Sequence, residues 1–302
     1  MIRFPPRLHK GDCIGLVCPA GYMPAEKVRS CVRSLTEWGY QVRLGKTVGG
    51  DSRVYFSGSD AERLADLQAM LDDDSVRAIL CARGGYGTGR IIDRLDFTRF
   101  RKQPKWIIGY SDITVLHSHL YSRYYISSLH APMAGAFNDG GHATEFVLSL
   151  RRALEGRRMR YRCEPHPFNR RGQAMGELVG GNLALLAHAV GTSSDLNTAG
   201  RILFIEDVGE YLYNIDRMMH QLKRSGKLDH LAGLVVGGFT ECKDTERPFG
   251  QAAYEIIRDI VSEYAYPVCF DFPVSHTDRN YALKLGAGVK LRVSPRVVSL
   301  EE

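Results

Sequence analysis

The chain has 302 residues, 44% of them hydrophobic and 25% charged, and its 40 basic and 34 acidic side chains leave a net charge of +6. That is globular composition, long enough for two domains that each bury a core. The charge excess is too mild to imply a nucleic-acid partner, and no apolar run approaches the ~20 residues of a membrane span. Met1–Pro6 has no apolar stretch of the kind an export signal carries, so a soluble cytoplasmic protein with no membrane partner is expected. Seven cysteines, never spaced C-x-x-C and several of them inside apolar runs, read as reduced buried thiols.

In chain order, Cys13–Val17 is an apolar run ended by Pro19-Ala20-Gly21. A helical pattern follows, with Val28, Cys31, Val32 and Leu35 on one face and Gly39 as its stop. Tyr40–Leu44 reads as a second strand. A loop through Gly49-Gly50-Asp51 leads to Ser59-Asp60, which can cap a helix carrying Leu64, Leu67, Met70 and Leu71. Val76–Cys81 is a third strand that runs directly into Arg83-Gly84-Gly85-Tyr86-Gly87-Thr88-Gly89. Trp106–Gly109 is the next apolar run, then Ile126–Leu129, then a helix over Glu145–Leu154. Continuous apolar strands alternating with amphipathic helices predict a parallel sheet covered on both faces.

Between Arg151 and Arg171 stand eight arginines, with Pro165 and Pro167. A solvated connector is the expected reading there, ahead of an anion-binding patch. The predicted organisation is residues 1–156 as an α/β domain, 157–174 as a basic linker and 175–302 as a second domain. In the second domain Arg201–Ile205 is a strand ending at Glu206-Asp207. A helix with Ile215, Met218, Met219 and Leu222 on one face stops at Ser225-Gly226. Leu234–Phe239 is a strand, Ala252–Tyr264 a helix and Pro267–Phe272 a strand, and the tail beyond Tyr281 alternates like antiparallel strands.

The chemistry centres on Gly109-Tyr110-Ser111-Asp112-Ile113. A strand stops, a serine follows, and Ile113, Leu116 and Leu120 then mark one face of a helix. A hydroxyl at such a turn is pushed out of the sheet's carboxyl edge, beside the free N–H groups of the helix start. The pattern approaches the G-x-S-x-G nucleophile elbow, with Ile113 in place of the last glycine. By itself a G-x-S at a strand end is ordinarily a helix N-cap. A serine nucleophile needs a base, normally histidine oriented by a carboxylate. Glu206 at a strand end and His276 in the turn-rich Pro273–Asn280 segment are candidates, although a salt-bridged glutamate and a surface histidine would read the same way. Gly85, Gly87 and Gly89 miss the G-x-G-x-x-G spacing, and there is no phosphate-binding G-x-x-x-x-G-K-[ST]. A side-chain-free loop could instead give the Gly85 N–H to an oxyanion, with the Asp112 N–H as second donor. His117 and His119 fall on nearly opposite helix faces and there is no paired-cysteine site, so no metal is expected.

Taken together, several segments resemble the LD-carboxypeptidase family of serine peptidases, which includes the microcin C self-immunity hydrolases. They are Gly11–Val17, Ala82–Gly87, Gly109–Thr114 with His117, Gly180–Leu183, Ile205–Val208 with Tyr213, Ile215–Arg217, Gln221-Leu222, Gly237–Thr240, and His276 with Asn280, Leu285 and Gly286. The resemblance implies a triad of Ser111, His276 and Glu206. It also implies an N-terminal doubly wound domain similar to class I glutamine amidotransferases, a C-terminal swivelling β/β/α domain, and a homodimer. The implied activity is release of terminal D-alanine from L,D-linked murein tetrapeptides in cell-wall recycling, with no cofactor. Arg83, next to the glycine loop, is the nominee for the substrate's terminal carboxylate. Two departures stand out: Ser275, where the family more often has glycine, and Cys18-Pro19-Ala20 for Ala-Pro-Ser. A microcin-type peptidyl-nucleotide hydrolase is the alternative within the family, although only Trp38 and Trp106 could stack on adenine. A non-catalytic module binding phosphates or nucleotides through Gly84–Gly89 is the alternative outside it.

Overall fold

The computed structural model describes residues 1–50 and 53–302 and divides into two compact units. Asp51, in the expected Gly49–Asp51 loop, lies outside the described residues. Unit 1 comprises Met1–Arg157 together with Tyr281–Lys284. Its strands are β1 (Cys13–Val17), β2 (Gln41–Leu44), β3 (Val76–Cys81), β4 (Trp106–Gly109) and β5 (Ser128–His130). They pair in parallel in the order β5-β4-β3-β1-β2, and the strand Leu283–Leu285 adds to the β5 edge. Its helices are α1 (Arg29–Glu37), α2 (Asp60–Asp72), α3 (Thr98–Lys102), α4 (Thr114–Tyr124) and α5 (Glu145–Leu154).

Because side chains alternate across a strand, each sheet face can be assigned. Ile14, Leu16, Leu80 and Ile108 share one core with Cys31 and Leu35 of α1 and with Leu150 and Leu154 of α5. The opposite face carries Gly15, where an added Cβ would lie 2.7 Å from the sulfur of Met70 on α2. Helices therefore cover both faces, which is why the inner strands β1 and β4 are apolar and buried along their whole length. Helix α2 begins as Ser59 predicts: its hydroxyl accepts from the Glu62 N–H while the Glu62 carboxylate accepts from the Ser59 N–H. The strand order reverses direction between β1 and β3, so the loops leaving their carboxyl ends diverge and leave a crevice, the usual ligand position in open α/β sheets. Pro19–Gly21, the glycine-rich loop and Ser111 all follow strands at that edge.

Unit 2 comprises Arg158–Asn280 and Leu285–Glu302. Its elements are β6 (Arg160–Cys163), β7 (Gly172–Asn182), α6 (Leu183–Ala189), β8 (Ile202–Val208), α7 (Leu212–Arg224), β9 (Gly233–Thr240), α8 (Ala253–Ile260) and β10 (Val268–Cys269). The Leu283–Leu285 strand is β11, followed by β12 (Gly288–Val293) and β13 (Val298–Glu301). The sheet order is β10-β9-β8-β7-β12-β13-β6. Strand β7 joins two pairing modes. Its first half, Gly172–Glu177, runs antiparallel to β12, and its second, Leu178–Asn182, runs parallel to β8.

Several boundaries differ from expectation for local reasons. The basic stretch 157–174 holds β6 and the start of β7. On β6, Arg160 and Arg162 point to solvent while Tyr161 is buried, and such charges on an edge strand discourage pairing with another chain. The strand expected over Pro267–Phe272 is cut to two residues, because Asp271 takes a left-handed φ of 54°. The helix expected to reach Tyr264 ends at Ile260. The strand expected at Ile126–Leu129 is shifted to Ser128–His130.

Candidate active site

In unit 1, β4 ends at Gly109, where a Cβ would sit 2.9 Å from the Ile113 side chain, so only glycine lets the following helix start close to the strand. Tyr110 is extended, and Ser111 then adopts φ 63°, a left-handed conformation that costs a non-glycine residue roughly 1–2 kcal/mol. One 3₁₀ turn, Ser111–Ile113, leads into α4. This is the strained strand–turn–helix of a nucleophile elbow.

The surroundings of Ser111 are built by the glycine-rich loop. A Cβ on Gly84 would lie 2.8 Å from Ser111 Cβ, 3.1 Å from its Oγ and 3.3 Å from the Asp112 nitrogen. The space over the Gly84 backbone is thus shared by the hydroxyl and a peptide N–H. The Gly84 carbonyl accepts from the Gly21 N–H at 3.0 Å. In a trans peptide the N–H points the other way, so the Gly85 N–H is directed away from Gly21. The Asp112 side chain turns away from this space. Its carboxylate is buried and accepts from the Thr88 N–H at 2.8 Å, tying the elbow to the loop, and burial raises its pKa. Arg83 is exposed, with Nη1 donating to the Tyr22 carbonyl at 2.8 Å.

In unit 2, Glu206 is wholly buried near the end of β8, and its Oε2 is 2.6 Å from Nδ1 of His276. A carboxylate accepts, so Nδ1 carries the proton and Nε2 presents its lone pair, the tautomer a general base needs. Burial pulls the imidazole pKa down, but the Glu206 hydrogen bond and charge, aided by Asp207 and Glu241, outweigh it and leave the pKa raised. Asp207 points elsewhere. Burial, then the neighbouring Glu206, pushes its pKa up to about 6, and it accepts from Asn182 Nδ2 at 2.8 Å and from the Ala184 N–H at 2.9 Å.

The loop bearing His276 is seated by two glycines of β9. A Cβ on Gly237 would lie 2.2 Å from the Val274 carbonyl oxygen and 3.2 Å from Glu206 Cβ, and one on Gly238 would lie 2.5 Å from Ser275 Cβ. The Gly238 N–H donates to the Val274 carbonyl at 3.0 Å. Ser275 uses its hydroxyl as a staple, reaching Thr277 Oγ1 at 2.7 Å and the Arg279 carbonyl at 3.1 Å. At the other departure, the Cys18 N–H donates to Thr47 Oγ1 at 2.9 Å and burial pushes the thiol up to about 12, so Cys18 packs as an inert side chain.

Within unit 2 the structure therefore brings Glu206 and His276 together; Ser111, Asp112, Gly85 and Arg83 belong to unit 1. Sequence reasoning gave Gly84 a part only in the alternative phosphate- or nucleotide-binding loop and named Gly237 and Gly238 only within a family segment, without the close backbone approach that each allows. Among the described residues no group of three or more His, Cys, Asp or Glu is placed to hold a metal ion. His117 is hydrogen-bonded to Gly109 and Ser128, whereas His119 packs against the rings of Phe97 and Tyr124.

Two sequence profiles match the chain: the LD-carboxypeptidase N-terminal domain over residues 14–131 and the LD-carboxypeptidase C-terminal domain over 175–291. The chain belongs to the LD-carboxypeptidase family. It is 37% identical to a probable murein peptide carboxypeptidase of Bacillus subtilis, over 98% of this chain and 94% of that one. The structure of a muramoyltetrapeptide carboxypeptidase from Oxalobacter formigenes superposes with a TM-score of 0.86 at 28% identity, covering 96% of this chain and 98% of that one. The microcin C7 self-immunity protein MccF of Escherichia coli is more distant, 24% identical over 97% of this chain and 94% of that one. The LD-carboxypeptidase profiles meet the two units in turn, one carrying the elbow and the other the Glu206–His276 pair.

Proposed function

We propose that this chain is a serine LD-carboxypeptidase that releases terminal D-alanine from an L,D-linked murein tetrapeptide in cell-wall recycling. The observation that carries the reading is the 2.6 Å bond from Glu206 to Nδ1 of His276, which leaves Nε2 as a base in a chain whose other unit holds a serine at a strained elbow. In the proposed mechanism Nε2 of His276 takes the Ser111 proton as Oγ attacks the penultimate carbonyl. The Asp112 and Gly85 N–H groups hold the oxyanion, and such donors are each worth ~10²–10³ in turnover. The imidazolium then protonates the leaving D-alanine nitrogen as the C–N bond breaks. A water molecule, deprotonated by His276, hydrolyses the Ser111 ester. Arg83 is assigned the substrate's terminal carboxylate, since its guanidinium is exposed beside the glycine loop and anchored through Nη1 to the Tyr22 carbonyl. The chemistry as proposed asks for no cofactor.

The same reading includes a glutamine amidotransferase-like topology for unit 1, supported by its parallel order β2-β1-β3-β4-β5, and a swivelling β/β/α character for unit 2. It includes a homodimer in the cytoplasm; no helix among the described residues is long and apolar enough to cross a membrane. The murein role is favoured over a microcin-type nucleotide substrate by the tryptophans. Trp106 is buried with Nε1 donating to the Pro6 carbonyl, and Trp38 is buried against Phe137, so neither offers a ring face to a nucleobase.

The test is release of D-alanine from purified murein tetrapeptide by the wild type and by Ser111→Ala, alongside a peptidyl-sulfamoyl nucleotide. Loss of release in the variant supports the nucleophile assignment, and retained release refutes it. Turnover of the nucleotide alone would move the substrate to the alternative. A crystal structure of an inhibited complex tests the pairing directly, since the mechanism needs Ser111 Oγ within ~2.6–3.2 Å of His276 Nε2.

A further inference from the structure

We propose that His117 is a positioning residue that clamps the elbow and keeps Ser111 in its strained conformation, an inference that rests on Ser111 being the nucleophile. His117 is buried on α4, the helix that the elbow starts. Its Nε2 lies 2.8 Å from the carbonyl oxygen of Gly109, the last residue of β4, and its Nδ1 lies 2.9 Å from Ser128 Oγ on β5. A carbonyl can only accept, so Nε2 carries the proton. In a neutral ring Nδ1 is then an acceptor, and the Ser128 hydroxyl donates to it. The Gly109 carbonyl thereby fixes the tautomer, and the Ser128 hydroxyl holds the far side of the ring. The ring stays neutral, because burial pushes its pKa down to about 4.

Gly109 O also accepts from the Ala131 N–H at 3.1 Å, so both of its lone pairs are used. The peptide plane joining Gly109 to Tyr110 is therefore held from two sides, by the residue that follows β5 and by the helix that follows the turn. One peptide further on, the Tyr110 carbonyl accepts from the Ile113 N–H at 3.2 Å. Between these anchors stands Ser111 at φ 63°. A left-handed serine persists only where its neighbours over-determine it, since relaxation of one residue would relieve the strain and swing Oγ away. The Nε2–H to Gly109 bond closes a ring of chain from residue 109 to residue 117 around the nucleophile. A leucine could fill the same volume, but it would leave one lone pair of Gly109 O unsatisfied and the turn free to reset.

Two amide substitutions separate this role from simple core filling. In His117→Gln the amide nitrogen reaches the place of Nε2, whereas in His117→Asn the side chain reaches only the place of Nδ1. The full-length protein and both variants are compared for the rate at which a fluorophosphonate labels Ser111. kcat and KM for D-alanine release and the thermal midpoint are measured alongside. Losing the clamp in His117→Asn is expected to slow labelling and kcat on the order of 10–100-fold, the effect of one buried acceptor left unmet. KM should stay within about twofold, because the substrate's binding groups are untouched. His117→Gln should recover most of both rates, although both variants lower the midpoint. Equal losses in the two variants, or wild-type labelling of His117→Asn, would overturn the clamp. Should His117→Asn not fold, Ser128→Ala takes its place. By leaving buried Nδ1 without its donor and the ring held from one side only, it must slow labelling while KM holds, and an unchanged rate overturns the proposal. A wild-type protein that is not labelled at Ser111 removes the nucleophile reading itself, and the clamp with it.

Discussion

Gly84 shows how little room the chemistry has. An alanine there would put a methyl 2.8 Å from Ser111 Cβ and 3.3 Å from the Asp112 nitrogen, closing the space where a substrate oxygen would sit. In the proposed mechanism Gly84→Ala is therefore expected to lower kcat on the order of 10²–10³, the loss that follows when an oxyanion donor is blocked, and to lower the thermal midpoint as well because the methyl overlaps Ser111 Cβ; a folded variant with wild-type kcat would count against it. The imidazole makes a second prediction. His276 must be neutral to accept a proton, and its pKa is raised above the ordinary 6.5 by the balance of burial against Glu206. Activity should thus rise with pH along a limb centred above that value. In Glu206→Gln the carboxylate's support is gone, so the limb should move to lower pH while kcat falls by roughly 10³–10⁴, the loss typical of a triad without its orienting carboxylate. A limb that does not move in the kcat/KM profile of that variant would separate the titrating group from Glu206. In the sequence Ser111 and Glu206 stand at strand ends and His276 in a turn-rich segment, and it is the family resemblance that joins them into a proposed triad. Gly84 could not be singled out, since four glycines crowd residues 84–89 and only the folded loop decides which one faces the serine.

At the scale of elements, the sites depend on backbone approach as much as on side chains. Gly237 and Gly238 lie in the apolar run of β9, and their missing side chains let the Pro273–Asn280 loop lie on the strand and bring His276 to Glu206. Gly237→Ala would drive a methyl to 2.2 Å from the Val274 oxygen. It should cost activity through the His276 position, and the raised pKa limb should shift with it. Helix α4 carries a pH signature of its own. His117 takes up its proton near pH 6.5 when unfolded but only near 4 when folded. The unfolded chain therefore binds the proton first, and stability is lost progressively as pH falls from about 6.5 to about 4. The total is about 3 kcal/mol, which His117→Gln should abolish in chemical denaturation at pH 7 and pH 4.5. The elements themselves were legible where a cap or a stop marked them: Ser59-Asp60 at the start of α2, Gly39 after α1, Ser225-Gly226 after α7. Strand β6 was not, because arginines alternating with Tyr161 resemble a solvated linker until a partner strand is seen beside them. Nor was the early end of β10, which turns on one left-handed aspartate, a conformation that composition does not reveal.

For the whole molecule, the alternation of strands and helices was enough to predict two α/β units. The return of the chain to unit 1 at Tyr281–Lys284 was not predictable, because four residues carry no periodicity and the tail reads as more of the second sheet. That return has several attachments. Tyr281 packs on Phe146 with centroids 4.7 Å apart, the Ala282 N–H donates to Ser149 Oγ at 2.8 Å, and Lys284 Nζ donates to the Arg157 carbonyl at 2.7 Å. Ala282 and Leu283 are wholly buried, and β11 covers the edge that β5 would otherwise present. A chain ending at Arg157 therefore keeps five strands but loses a buried leucine, worth about 1.5–3 kcal/mol, and bares an edge that invites strand pairing. Such a chain is expected to melt lower and to self-associate with rising concentration. The same chain with residues 281–285 restored through a flexible glycine–serine linker should melt higher and stay at one size. Thermal unfolding and size-exclusion chromatography over a range of concentrations make the comparison. Equal midpoints for the two would mean that the returning strand fills an edge unit 1 does not need, and that the first 157 residues fold on their own side chains alone.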